Sequence, residues 1–420
     1  MSALLRRATI AQWGARQRSS LDVATQRVAQ EIVEDVRVRG ELAVRDYSER
    51  HGDILPGDAV RLSRADLEAA LAALPSEQRG VLERTAARIT SFAQAQRACL
   101  LPLDTEVAGG RAGHRWLPVT SVGAYAPGGR HPLPSSVLMT CLPAQVAGVA
   151  NIVVASPNPT QVTMAAAALG GASSLLAIGG AQAIAALTFG VFDTPADIVV
   201  GPGNRWVTAA KKYLVGEVGI DGLAGPSELL VLADEFADPA TIAADLLGQA
   251  EHDDDAVPLL VTTSARLLDA VEKELALQLQ TLPTSSTASA SLRGNGVAFL
   301  VADLDEAVQV ANRLAPEHLE LCVQNPDALR ENLTAYGSLF VGGETAEVFG
   351  DYGAGPNHVL PTGGGPRFQA GLSVLTFLRP LTYLQLRDPS QLLGDAAQLA
   401  RLEGLEGHAR SAERRGMSRS

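Results

Sequence analysis

The stretch DIVVGPGNRWVTAAKK, residues 197–212, holds three kinds of sequence in one line. A short β-branched run reads as a buried strand, a Gly-Pro-Gly turn follows, and a helix comes next. Backbone N–H groups at the start of such a helix can hold a phosphate. Taken alone the signal is weak, because glycine serves turn geometry in many loops of this kind.

The same order recurs on both sides. SVGAYAPGG (121–129), NIVVASPNP (151–159) and LLAIGGAQ (175–182) are apolar runs that end in Gly, Pro or Asn. Ala-rich helical segments, QVTMAAAALGG (161–171) and AQAIAALTFG (181–190), lie between them. Strand, polar turn and helix in repetition argue for a parallel sheet in a doubly wound α/β domain. Ligands of such sheets bind at the carboxyl ends of the strands, where these turns fall. No GxGxxG follows any of these strands, so the usual glycine argument for a dinucleotide is missing.

A second series begins at ELLVLAD (228–234) and continues through PLLVTTS, VAFLVADL, LELCVQNP and SLFVGG (338–343). Helical stretches such as DPATIAADLLGQAEH (238–252) and DLDEAVQVANRL (303–314) separate its members. The fold class is therefore α/β, with two Rossmann-like doubly wound domains. Residues 22–100 read as helical, with Ser63 a candidate N-cap, and the chain after Pro380 reads as a helical tail with a frayed end. The Ser/Thr-rich PTSSTASAS (283–291) reads as an exposed loop.

Composition limits the alternatives. At 420 residues the chain calls for two or more domains, and 46% hydrophobic against 19% charged residues is globular. A net charge of −12 gives no broad basic face for nucleic acid. From His131 to Phe192 there is no Asp, Glu, Lys or Arg. Gly, Pro, Asn, Gln and Ser interrupt that run too often for a membrane span, which leaves strands buried on both faces. The N-terminus has no apolar core of signal-peptide length, and Cys99, Cys141 and Cys322 have no paired spacing. The expectation is a soluble cytoplasmic protein.

Histidine carries more. His252, His318, His358 and His408 fall late in the chain, in polar or glycine-rich settings. GQAEHDDD puts Gln249 and His252 three apart on one helical face, and GDYGAGPNHVLP offers Asp351 and His358. EGLEGHARS adds Glu403 and His408. Imidazole and carboxylate are zinc ligands, the Gln oxygen an uncommon one, and no spacing here resembles a zinc finger. LAPEHLEL (314–321) sets Glu317 beside His318 after Pro316, which disfavours helix at Ala315 and suits the start of a new one. Read singly, each of these is a solvated surface group. Cys141 and Cys322 sit among apolar residues, where thiols are inert.

Taken in series, the segments resemble one family, histidinol dehydrogenase. The resemblance rests on GAYAPGG (123–129), SSVLM (135–139), PAQVAGV (143–149), IGGAQAIAAL (178–187), DIVVGPGN (197–204) and AGPSE (224–228). It continues through DLLGQAEHD (245–253), NRLAPEHLEL (312–321), GDYGAGPNHVLPTGG (350–364) and EGLEGHA (403–409). The family oxidises L-histidinol through L-histidinal to L-histidine with NAD, the last step of histidine biosynthesis.

The resemblance implies one zinc per subunit, on Gln249, His252, Asp351 and His408. It implies a catalytic Glu317–His318 pair. Substrate contacts fall on Ser227, His358 and Glu403 together with His318 and the four zinc ligands, and NAD contacts fall on Tyr125, Gln182 and Asn204. It also implies a homodimer whose C-terminal segment completes the partner's site. The expected layout is an N-terminal arm (1–21) and a larger domain from 22–105 plus 229–378, carrying the Glu-His pair. An inserted NAD-binding domain (106–228) and a helical tail (379–420) complete it. Departures are small: Gln145 where Lys is common, IDGLAGPSE for a DMLAGPSE-like run, and an acid after His252 where Gly is frequent.

Two other classes compete. A zinc hydrolase would use the same ligands with Glu317 as base, but it leaves the GPGN and YAPGG turns unexplained. A binding protein of two α/β domains would carry a signal peptide.

Overall fold

The computed structural model describes residues 3–13, 21–128 and 132–417. One six-stranded sheet has the order Arg6–Arg7, Val297–Leu300, Val257–Thr262, Glu228–Ala233, His318–Cys322, Ser338–Val341, parallel throughout. The other runs Arg61–Ser63, Ser174–Leu176, Asn151–Ala155, Ser121–Tyr125, Ile198–Val200, Gly219–Ile220, with only its first pair antiparallel. We call these the C-sheet and the N-sheet.

Both sheets are buried on both faces, which is why their strands read as unbroken apolar runs. In the N-sheet, Ile152 and Val154 pack into one cluster with the helix Pro134–Ala147, while Val153 and Ala155 face another with the helix Gly180–Phe189. In the C-sheet, Leu229 and Val231 oppose Leu230 and Leu232 in the same way. The doubly wound α/β expectation holds for each sheet. Among the described residues no helix is long and apolar enough to cross a membrane.

The packing corrects several details. Residues 22–105 pack on the N-sheet rather than on the C-sheet formed by much of 229–378, although Leu82 and Ile89 also meet Val359, Leu372 and Phe377. Ala29, Val33 and Val44 pack with Val153 and Val199 of the N-sheet, Leu67, Leu82 and Ile89 pack with Val122 and Val154, and Arg61–Ser63 is that sheet's edge strand. An amphipathic stripe is buried on the nearest apolar face, and here that face belongs to residues 121–200. Leu4 and Leu5 of the N-terminal arm pack into the C-sheet core instead.

The tail is not all helix. Leu378–Leu386 is a strand paired with Gly110–Pro118, which also pairs with Leu103–Val107, and the helices Ser390–Leu402 and Glu406–Met417 follow. The expected fray at the end is helix up to Met417, and residues 418–420 lie outside the described ones. The stretch 283–291 falls largely in a helix, Ser285–Asn295, because Ala288, Ser291 and Leu292 give it a buried side.

Candidate active site

A cleft of about 1300 Å³ lies between the two sheets, lined by Tyr125, Gln182 and Asn204 from one side and Gln249, His252 and Asp351 from the other. The N-sheet supplies its part from the carboxyl ends of strands. Tyr125 ends the strand Ser121–Tyr125, and its hydroxyl oxygen accepts from the N–H of Gly180, 3.4 Å away, at the start of a helix. Asn204 caps the helix Arg205–Leu214, its Oδ1 accepting from the N–H groups of Trp206 and Val207 at 3.0 and 3.2 Å. Gln182 is buried; its Nε2 lies 3.4 Å from His51 Nδ1 and 3.5 Å from Asp53 Oδ2, while its Oε1 has no partner. Asp53 also accepts from the Gly179 N–H at 2.9 Å. Reading the sequence missed His51 and Asp53, which fall in a short polar turn at the left-handed Gly52.

The C-sheet supplies its part from the amino ends. The helix Leu304–Leu314 stops at Ala315, which is left-handed with φ 50°, and Pro316 follows. Pro316 does not open a new helix: after Glu317 the chain enters the strand His318–Cys322. His318 is buried, with Nδ1 3.1 Å from the carbonyl oxygen of Glu228. A carbonyl only accepts, so Nδ1 carries the proton and Nε2 keeps its lone pair. That Nε2 has no hydrogen-bond partner and lies 3.7 Å from Asp351 Oδ1. Burial drives the His318 pKa down to about 3, so the ring is neutral.

Glu317 Oε2 accepts from Ser227 Oγ at 2.8 Å and from the Glu228 N–H at 2.9 Å. Burial nevertheless pushes its pKa well above the ordinary 4.5. Ser227 Oγ also lies 3.5 Å from Gln249 Oε1. His252 sits just past the end of the helix Pro239–Ala250 rather than on it, with Nε2 3.8 Å from Asp351 Oδ2. Burial raises the Asp351 pKa to about 6 despite the nearby His252.

These donors fit a divalent cation. Ligand atoms of His252, Glu347 and Asp351 lie within 4.8 Å of one another. Gln249 Nε2 and Glu347 Oε1 are buried without a hydrogen bond, the latter 3.3 Å from His318 Nδ1, and turning the amide over presents its oxygen to the same space. Glu317, Glu347 and Asp351 are three crowded carboxyls, each held above its usual pKa chiefly by burial, and a cation relieves such a cluster. Glu347 was missed in the sequence, although its place four residues before Asp351 on one helical face was legible.

His358 has both ring nitrogens engaged: Nδ1 is 2.9 Å from the Asp351 carbonyl oxygen and Nε2 is 3.2 Å from Ser136 Oγ. It braces the Asp351 helix against the helix Pro134–Ala147. Glu403 and His408 are not gathered here. Both are exposed on the two C-terminal helices and neither lines the cleft.

The sequence matches the histidinol dehydrogenase family profile over residues 15–416. It is 48% identical to the histidinol dehydrogenase of Rhizobium meliloti (strain 1021) over 91% of this chain and 90% of that one. It is 44% identical to that of Ruegeria pomeroyi, over 96% and 94% of the two chains. The crystal structure of histidinol dehydrogenase from Elizabethkingia anophelis superposes with a TM-score of 0.92 at 31% identity, covering 100% of this chain and 99% of that one. A propionaldehyde dehydrogenase from Rhodopseudomonas palustris shares the fold alone, at a TM-score of 0.50 and 13% identity over 92% and 96% of the chains.

Proposed function

The chain belongs to the histidinol dehydrogenase family and so oxidises histidinol at the last step of histidine biosynthesis; on that premise we propose that it does so as a zinc-dependent, NAD-linked four-electron oxidation of L-histidinol via L-histidinal to L-histidine. One observation carries the reading: a single cleft is lined by the glycine-turn residues of one sheet and the His252–Asp351 donor set beside the other. NAD⁺ supplies a hydride acceptor at the Tyr125, Gln182 and Asn204 side, and zinc supplies a Lewis-acidic anchor for the substrate's imidazole and amine.

His318 Nε2 takes the hydroxyl proton as hydride leaves the carbinol carbon in the first oxidation. Glu317 then takes a proton from water as its oxygen adds to the aldehyde carbon, while His318 returns its proton to the aldehyde oxygen; this gives the hydrate and frees Nε2. His318 again accepts a hydroxyl proton as the second hydride leaves, and the product is the carboxylic acid. Two NAD⁺ are reduced in all. Ser227 and the Glu228 N–H hold Glu317 in place through the whole sequence. Gln249, His252 and Asp351 would hold the zinc and the substrate, and His358 would become a further substrate contact by exchanging Ser136 Oγ for the substrate.

The proposal includes a homodimer in which His408 and Glu403 enter the partner's cleft; their exposure on the C-terminal helices supports this. A cytoplasmic location is part of the same reading, in keeping with three free cysteines.

Purified protein given limiting histidinol and excess NAD⁺ should release two NADH per histidinol, with histidine as product. One NADH, or none, rejects the four-electron reading. Mixing His408→Asn chains with Asp351→Asn chains should recover part of the activity, and no recovery from demonstrated mixed dimers rejects the shared site.

A further inference from the structure

We infer that the buried Lys211–Asp221 ion pair is a positioning device for the Gly201–Asn204 turn, holding it in the shape that receives the dinucleotide. The inference rests on the reading that this turn contacts NAD.

Lys211 lies in the helix Arg205–Leu214, and its side chain and that of Asp221 are only 4% and 5% exposed. The ammonium is 2.5 Å from Asp221 Oδ1 and donates to the Gly201 carbonyl oxygen at 2.8 Å. The other carboxylate oxygen, Asp221 Oδ2, accepts from the Gly201 N–H at 2.6 Å. The pair therefore clasps both backbone polar groups of one residue. That residue has φ +109°, and a Cβ there would lie 2.0 Å from the Tyr125 carbonyl oxygen, so the turn is seated directly on Tyr125. Fixing Gly201 thus fixes the take-off of Asn204 and its contact with Tyr125 together.

The clasp is anchored at its far end. Asp221 opens the segment 221–227, and its carbonyl oxygen accepts from the Gln369 side-chain amide. Further along, the Ala224 carbonyl oxygen accepts from Thr208 Oγ1 at 2.9 Å, three residues before Lys211, and the Gly225 N–H donates to Thr362 Oγ1 at 2.6 Å. The segment ends at Ser227, whose hydroxyl is 2.8 Å from Glu317 Oε2. One side of the pair grips the cofactor turn and the other grips the strap that reaches Glu317.

Stability does not account for the pair. An ion pair this deep loses hydration on both partners, and its charges by themselves add little stability over an apolar pair of similar shape. An apolar pair cannot donate to a carbonyl and accept from an N–H of the same glycine. What Lys211 and Asp221 add is therefore the geometry of Gly201.

The test compares the zinc-loaded wild type with Lys211→Met/Asp221→Leu and with Asp221→Asn, by calorimetric NAD titration and by steady-state kinetics. The double variant should melt somewhat lower, because the Gly201 N–H and carbonyl lose their partners, but keep the wild-type zinc content, while Kd and KM for NAD rise roughly tenfold to a hundredfold. Its kcat at saturating NAD should fall far less than KM rises. Wild-type NAD affinity in the folded double variant would make the pair purely structural and overturn the inference. If the double variant does not fold, Asp221→Asn keeps the shape of the site and decides by the same two outcomes. A wild-type protein that takes up no NAD overturns the cofactor reading and the clasp with it; NAD bound equally by wild type and Asp221→Asn overturns the clasp alone.

Discussion

The two walls of the cleft are built from opposite ends of their sheets. The N-sheet wall uses carboxyl ends of strands, where helices begin: Gly180 and Asn204 stand at helix N-termini. The C-sheet wall uses amino ends, where helices have just finished: Gln249 and His252 come at the end of the helix Pro239–Ala250, and Glu317 and His318, which follow the helix Leu304–Leu314, lie buried behind Asp351 of that wall. A helix N-terminus carries partial positive charge, which suits the phosphates of a dinucleotide, although here Asn204, Tyr125 and Asp53 already accept from the first N–H groups. A helix C-terminus carries partial negative charge, which suits a cation. The backbone alone thus sorts the cleft into an anion wall and a cation wall, before any side chain acts.

That division can be broken by a single change on one wall. His318→Asn removes the unpartnered Nε2 base but retains a small side chain able to meet the Glu228 carbonyl oxygen. We expect kcat for both oxidations to fall about 10²- to 10⁴-fold, the range of a lost general base. Zinc content and NAD affinity should stay at wild-type values. If NAD affinity falls in parallel, the walls are not independent and the comparison fails.

A second expectation separates the walls by pH. Glu320, inside the strand His318–Cys322, is fully buried and accepts from the Glu347 N–H at 2.7 Å. Burial first, and the neighbouring Asp245 carboxylate second, raise its pKa from 4.5 to about 8. The folded protein therefore keeps a proton that the unfolded chain releases, and stability falls as pH rises from the unfolded value through the folded one. Between about pH 5 and pH 8 the loss should be on the order of a few kcal/mol. Glu320→Gln keeps the acceptor for Glu347 and removes the titration, so its stability curve should be flatter over that range. Denaturant melts of the two proteins at several pH values check this; parallel curves would show that Glu320 is ionised in the fold.

The anion wall was the easier one to see in the sequence. Its turns announce themselves: GPGN, IGGAQ and YAPGG each break an apolar run with residues chosen for backbone shape. The cation wall has no such signature, because it is made by side chains brought from residues 227, 249, 252, 317 and 351, far apart in the chain. Glu317 and His318 read singly as a solvated pair, whereas both are buried. Only the order of many motifs, taken as a family resemblance, pointed to them. The layout of residues 22–105 was not legible for a related reason: an amphipathic stripe says that a helix is buried on one side, not which of two apolar sheets receives it. Likewise Pro316 marked the end of a helix correctly and its sequel wrongly, since a proline after a left-handed residue admits either a strand or a helix next.

The smallest effect expected is at the thiols, and it bears on chemistry rather than on either wall. The fold is shared with a propionaldehyde dehydrogenase, and many aldehyde dehydrogenases oxidise through a cysteine. Here none of the three cysteines lines the cleft. Cys141 is buried in the helix Pro134–Ala147, where burial pushes its pKa up to about 12. Cys322 ends the strand that His318 begins, four residues and roughly 13 Å away at the strand's carboxyl end. Burial raises its pKa to about 12 as well, with the Glu320 carboxylate adding to the effect. Burial keeps both thiols protonated at neutral pH, and neither lines the cleft. Cys141→Ala and Cys322→Ser should therefore leave the turnover of histidinal within about twofold of wild type. Single-turnover oxidation of the aldehyde is the measurement to make, because a covalent thioester would be confined to that step. A loss of more than about tenfold in Cys322→Ser, in a protein that still oxidises the alcohol normally, would return the second oxidation to a thiol and remove Glu317 from its role.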